Sequence, residues 1–317
     1  MRNFSPLKSF IVVFIRFALP VVLIAAAIVP WAILVTRWDY RRHIRLSENV
    51  RFVAVGDSEP ELSMDPEELP GMVNQAVTAC PLDCLLYKVQ DLVAVNHDRR
   101  FTLIINISPR RLADKIKPLE PEDFASRYAP LYFLHIGNPY CKMGSPFLLF
   151  RDRVLSEAFH AMTGNKLRKK SKNPNKRITR VWGGFQRFAD ALFLSNPESA
   201  EKQTNEYLDT LEDVMSANPN FSANLPILDK ILSTIAASGN KAVLTCSPWH
   251  HSLTEKIPGE RLRKYRDVMS ELAKVHGVEW FDDLELDLPD SCFFNQNHLN
   301  QEGARKYTSL MRARLDR

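Results

Sequence analysis

The chain has 317 residues, 45% of them apolar and 25% charged, and a formal net charge of +5. That length and composition belong to a folded protein of one large or two small domains and exclude a disordered or fibrous chain. Eight basic residues and no acidic one fall between Lys166 and Arg180, so the remainder is slightly acidic and no nucleic acid partner is expected.

The basic run reads either as a solvated loop or as a contact with lipid headgroups or an anionic glycan. Ahead of the folded part, residues 1–45 are expected to anchor the chain, with a transmembrane helix at about 17–35. Phe17 to Val35 carries no charge, and as a helix it spans roughly 28 Å, the thickness of a bilayer core. Pro20 and Pro30 are tolerable in such a span, and Trp31 and Trp38 suit its interface end. No small-residue cleavage site follows, so the segment reads as an uncleaved anchor in contact with membrane lipid. Counting positive charges on its two sides leans weakly toward a cytoplasmic domain. The five cysteines are odd in number and form no zinc-type double pair; Cys80 and Cys84 read as small buried side chains.

Within 51–317, Phe52 to Val55 is a first buried strand, broken by Gly56-Asp57-Ser58. The acidic, proline-punctuated stretch from Glu59 to Pro70 reads as a loop or short helix, its Glu59 and Glu61 either shaping a site or simply solvated. Leu82 to Val95 carries a helical apolar stripe, and Phe101 to Ile107 is an unbroken apolar strand. A helical insertion is expected at about 121–217, with helices at Glu122–His135, Pro146–Met162 and Glu198–Ala217. Trp182-Gly183-Gly184-Phe185 lies within it, as aromatic packing or a glycan-stacking platform. The alternation then resumes with a helix at Leu225–Ala237, a strand at Lys241–Cys246, a helix from Pro258 to Gly277, a strand at Val278–Phe281 and a last helix at Gln301–Leu315. Unbroken apolar strands alternating with helices give an α/β class with a parallel sheet covered on both faces.

In such a sheet ligands bind beyond the carboxyl ends of the strands. Ser58 after the first strand, His250 and His251 after Lys241–Cys246, and His298 before the last helix all fall there. Serine becomes a useful nucleophile only when a base removes its proton, so a histidine partner is required. No phosphate loop, dinucleotide fingerprint or metal cluster is visible, and neither cofactor nor metal is expected.

Gly56-Asp57-Ser58 together with His298, Leu299, Asn300 and Gly303 resembles the first and last sequence blocks of the SGNH/GDSL hydrolase superfamily, in particular its membrane-anchored branch found beside cell-envelope acyl transfer systems. The resemblance covers roughly Phe52 to Leu315. It implies a three-layer α/β/α, flavodoxin-like domain in which Ser58 is the nucleophile and His298 the general base. It further implies an oxyanion hole from the N–H of Ser58, from Ala79 where the family has glycine, and from Asn106 or Ser108 in place of the third-block asparagine. Asp57, Asn74 and His250 are the expected substrate contacts. Asn295 stands where the family has aspartate, so the acid is either missing or recruited from Asp282, Asp283, Asp287 or Asp290. The implied activity is removal or transfer of an O-acyl group, acetyl first, on a cell-surface glycan, outside the cytoplasmic membrane of a bacterial cell and with a membrane acyltransferase as partner. The competing reading is an inactive domain that binds glycan or assists such an acyltransferase.

Overall fold

The computed structural model describes residues 13–20, 23, 27, 34, 38, 40–114, 184–218 and 220–316. The chain divides into two compact units, 1–42 with 118–176 and 43–117 with 177–317. The first lies mostly outside the described residues, and the second holds every element named below. Much of the span expected at 17–35 lies outside the described residues, and so do the helices expected at Glu122–His135 and Pro146–Met162, the whole basic run, Trp182 and Gly183. Among the described residues no helix is long and apolar enough to cross a membrane.

The second unit is an α/β structure built on five parallel strands: β1 (Phe52–Val55), β2 (Met72–Asn74), β3 (Thr102–Asn106), β4 (Lys241–Cys246) and β5 (Glu279–Asp282). Their order in the sheet is β2-β1-β3-β4-β5. The central strands are apolar at nearly every position because both faces are covered. Phe52, Ala54 and Ile104 face one way and join a cluster with Tyr307 and Met311 of α9 (Gln301–Leu315). Val53, Val55, Leu103 and Ile105 alternate to the other face and are equally buried. There α2 (Leu82–Val95) and α6 (Leu225–Ala237) pack on each other, with α6 against β4.

Local signals explain where these elements stop. The helix α8 (Gly259–His276) begins at Pro258 and ends at Gly277, whose φ of 62° is the left-handed cap conformation that glycine adopts without strain. Within the part of the insertion that is described, α4 (Leu192–Ser195) precedes α5 (Pro197–Ala217), which Asn196 caps by accepting the N–H of Ser199. The stretch read as a loop or short helix after Gly56-Asp57 opens as a short helix, α1 (Ser58–Ser63), whereas two other short helices, α3 (Pro109–Ala113) and α7 (His251–Thr254), escaped the sequence reading as separate elements. So did β2 and an antiparallel hairpin of β6 (Phe293–Asn295) and β7 (His298–Leu299), reached through a 3-10 turn at Asp290–Cys292.

The chain runs from β1 outward to β2 and then crosses back to lay β3 on the other side of β1. The connections leaving β1 and β3 therefore diverge, and a crevice opens at the carboxyl end of β1. Ser58 stands there.

Candidate active site

Ser58 is presented by a turn that only glycine can make. Gly56 has φ +142°, and a Cβ on it would lie 2.7 Å from Pro60 Cγ and 3.1 Å from the carbonyl oxygen of Asn106. Asp57 follows as the N-cap of α1: its Oδ1 accepts the N–H of Glu59 at 3.0 Å. Its Oδ2 accepts from Arg111 Nε at 2.9 Å and Nη2 at 2.6 Å, tying α1 to α3. Both oxygens of Asp57, expected as a substrate contact, are thus engaged in holding the turn. Ser58 is the first residue of α1 and stays partly exposed between buried Asp57 and Glu59.

His298 is brought to Ser58 by the β6–β7 hairpin and by the start of α9. Asn300 caps α9 by accepting the N–H of Gly303 at 3.0 Å, while its amide donates to Ser291 O at 2.7 Å. Gly303 lies so close to the 3-10 turn that a Cβ would sit 2.1 Å from Cys292 O. Leu299 packs in the core. Each residue of the His-Leu-Asn-x-x-Gly pattern therefore has a physical task, and together they hold the imidazole in place.

His298 Nε2 lies 2.8 Å from Ser58 Oγ, and His298 Nδ1 lies 2.9 Å from Asn295 Oδ1. The N–H of Asn297 donates to the same Asn295 oxygen at 3.2 Å, so that atom is an acceptor and the amide cannot be turned round without losing this bond. Nδ1 consequently carries the ring proton, and Nε2 offers its lone pair to the serine hydroxyl. That is the tautomer a general base needs.

The segment after β2 runs beside this pair. Gln75 N–H donates to Ala54 O at 2.8 Å and Val77 N–H to Gly56 O at 3.1 Å, which brings the turn at Thr78-Ala79 alongside the start of α1. Ala79 is exposed and has φ 57°, a conformation that glycine adopts more readily than alanine. Among the described residues neither the N–H of Ser58 nor that of Ala79 donates to an acceptor. Asn106 is different: it is fully buried and its amide donates to Ser247 Oγ at 2.7 Å, behind the turn. Asn74 is likewise engaged, donating to Pro60 O at 2.7 Å and Met64 O at 2.9 Å and accepting from Ala76 N–H at 2.9 Å. It fastens β2 to α1. Ser108 caps α3.

Glu59 and Glu61, read as mouth residues or solvated acids, are both buried. Glu61 accepts from Thr78 Oγ1 and from Gln186 Nε2, linking α1 to the turn after β2 and to the irregular segment before α4. Glu59 Oε1 accepts from Trp249 Nε1 at 3.2 Å. Burial, with the nearby charge of Asp57, pushes the Glu59 carboxyl up to about 8, so it is predominantly neutral at pH 7. Tyr207 bridges the same region: its ring lies edge-on to Trp249 and under the Arg110 guanidinium, and its hydroxyl accepts from Asn297 Nδ2 at 3.4 Å. Of the acids considered as partners for His298, Asp282 binds Arg266, Asp283 binds Arg314 and Asp290 binds His250. His250, an expected substrate contact, is buried beside the site, and its N–H donates to Gln296 O at 2.9 Å.

Sequence reasoning did not find Arg111, Trp249 or Tyr207, and it placed Asn297 beside His298 without its role. Arg111 acts on Asp57, Asn297 on Asn295 and Trp249 on Glu59, while Tyr207 joins Trp249 to Asn297. Comparison with protein families, curated proteins and solved structures returns no match for the chain.

Proposed function

We propose that the chain is an SGNH-type serine esterase or O-acyltransferase acting on acyl esters, acetyl foremost, of a cell-surface glycan. The observation that carries this reading is the Ser58–His298–Asn295 relay, with contacts of 2.8 and 2.9 Å and the base tautomer imposed by Asn297. The strand order is the doubly wound flavodoxin-like one, with Ser58 at its switch point, which supports a three-layer domain of this type.

In this mechanism Ser58 Oγ attacks the acyl carbonyl carbon while its proton passes to His298 Nε2. The tetrahedral oxyanion is met by the N–H groups of Ser58 and Ala79, neither of which donates to an acceptor among the described residues. Collapse expels the sugar alkoxide, which takes the proton from His298. Water or an acceptor hydroxyl then attacks the acyl-serine while His298 removes its proton; the acyl–Oγ bond breaks and His298 returns the proton to Ser58 Oγ. Placement at the outer face of the cytoplasmic membrane, with a membrane acyltransferase as partner, rests on the apolar stretch at Phe17–Val35 and on the sequence resemblance.

Asn295 favours a second reading, a glycan-binding domain without turnover, because the group it offers to Nδ1 is an uncharged amide oxygen and not a carboxylate. Treating the full chain with a fluorophosphonate separates the two, since labelling needs an activated serine but not the natural substrate. Ser58 is expected to label, with labelling and p-nitrophenyl acetate hydrolysis lost in both Ser58→Ala and His298→Ala. A folded wild type that neither labels nor hydrolyses faster than these variants would overturn the enzyme reading.

A further inference from the structure

We infer that His250, His251 and Asp290 form a binding site for one divalent transition-metal cation, of which zinc is the type. The three residues come from two loops at the catalytic edge of the sheet: the histidines follow β4, and Asp290 opens the 3-10 turn before β6. Forty residues separate them in sequence, and for that reason no metal motif is visible there.

His250 Nε2 lies 3.1 Å from Asp290 Oδ1, and His251 Nδ1 lies 3.9 Å from the same oxygen. All three ligand atoms fall within 4.8 Å of one another. Around a tetrahedral zinc ion, with bonds of about 2.0–2.1 Å, neighbouring donors stand roughly 3.3–3.5 Å apart. The adjustment needed falls on His251 and Asp290, whose side chains are 60% and 48% exposed and free to turn. His250 need not move. Its ring is stacked on Phe193 at 3.6 Å and meets Phe293 edge-on at 5.0 Å.

As the structure stands, Ser252 N–H donates to His250 Nδ1 at 3.2 Å, so the ring proton sits on Nε2 and faces Asp290 Oδ1. A cation taking Nε2 would displace that proton to Nδ1, where Ser252 Oγ at 2.8 Å can accept it. An ordinary histidine–carboxylate pair accounts for one imidazole on Asp290. It does not account for a second, its ring 4.1 Å from the first and its Nδ1 turned toward the same oxygen. A shared cation does. Two imidazoles and one carboxylate form a donor set suited to zinc, and their exposed side leaves room for water or a ligand oxygen as fourth donor.

None of the three belongs to the Ser58–His298–Asn295 relay. The ion would instead clamp the loop after β4 to the segment leading into β6, and His250 N–H already holds Gln296 O of the loop that carries His298.

The test is metal uptake by the untagged full chain, stripped with a chelator and titrated with Zn²⁺ by calorimetry and with Co²⁺ by visible absorption. One equivalent should bind saturably, raise the melting temperature and give the intense bands of four-coordinate cobalt. His251→Ala and Asp290→Ala, both surface changes, should each weaken binding by at least tenfold, and Ser252→Ala by about tenfold. Ser58→Ala should bind as the wild type does, which keeps this result independent of ester chemistry. No saturable uptake, or uptake unaltered in His251→Ala and Asp290→Ala, would overturn the inference.

Discussion

The amide oxygen of Asn295 accepts two hydrogen bonds, from Asn297 N–H at 3.2 Å and from His298 Nδ1 at 2.9 Å. In a serine-protease triad, exchanging aspartate for asparagine costs about 10⁴-fold, largely because the amide donates to the ring and imposes the wrong tautomer. Here the Asn297 N–H prevents that orientation, so Asn295 differs from an aspartate only in lacking the charge that would stabilise the imidazolium. Asn295→Asp is therefore expected to raise kcat/KM on an activated ester by about 10- to 10³-fold, less than the full triad effect, each tenfold being about 1.4 kcal/mol. Asn295→Ala should lower it, since nothing then fixes the ring. Steady-state kinetics of the two variants beside wild type check both signs, and an unchanged rate in Asn295→Asp would place the limit elsewhere than the imidazolium. The three-residue spacing of Asn295 and His298 was legible in the sequence. The role of Asn297 was not, because it depends on a bulged hairpin of only five strand residues, too short for a period to show.

At the scale of elements, the long pieces were legible to the residue: α2, α6, β4 and α9 begin and end where their apolar stripes and caps say. The short ones were not. With three residues, β2 shows no alternation, and α1 hides two buried acids in a polar stretch that reads equally as a loop or a short helix. Glu59 and Glu61 are kept there by Trp249, Thr78 and Gln186, all distant in sequence. The junction of α9 with the 3-10 turn gives the sharpest mechanical test. Gly303→Ala puts a methyl 2.1 Å from Cys292 O, a backbone atom that can yield only by shifting the turn and with it β6 and Asn295. Such overpacking costs about 1–3 kcal/mol and occasionally more. A lowered melting temperature is expected together with loss of Ser58 labelling, because the displaced strand carries the residue that orients the base. Full labelling in a destabilised Gly303→Ala protein would show that the hairpin moves independently of the turn.

Across the whole molecule, two buried ionisable groups should give stability a particular dependence on pH. Glu59 rises from 4.5 to about 8, through burial first and then the charge of Asp57. Lys88 is also fully buried, and burial lowers it from 10.5 to about 8, against the pull of Cys80, Glu61 and Cys84. Between pH 4.5 and 8 the folded chain holds a proton on Glu59 that the unfolded chain has lost, so stability falls as pH rises. Between pH 8 and 10.5 the folded chain has lost a proton from Lys88 that the unfolded chain still holds, so stability climbs again. Each limb has a slope of at most about 1.4 kcal/mol per pH unit. The melting temperature should therefore pass through a minimum near pH 8, where the two windows meet. Glu59→Gln is expected to flatten the limb below the minimum and Lys88→Met the limb above it, each leaving the other intact. Melting curves of the three proteins from pH 5 to 10 measure this directly. A wild-type profile that rises steadily through pH 8, or a Glu59→Gln profile that keeps the falling limb, would mean that Glu59 is ionised in the folded state at pH 7.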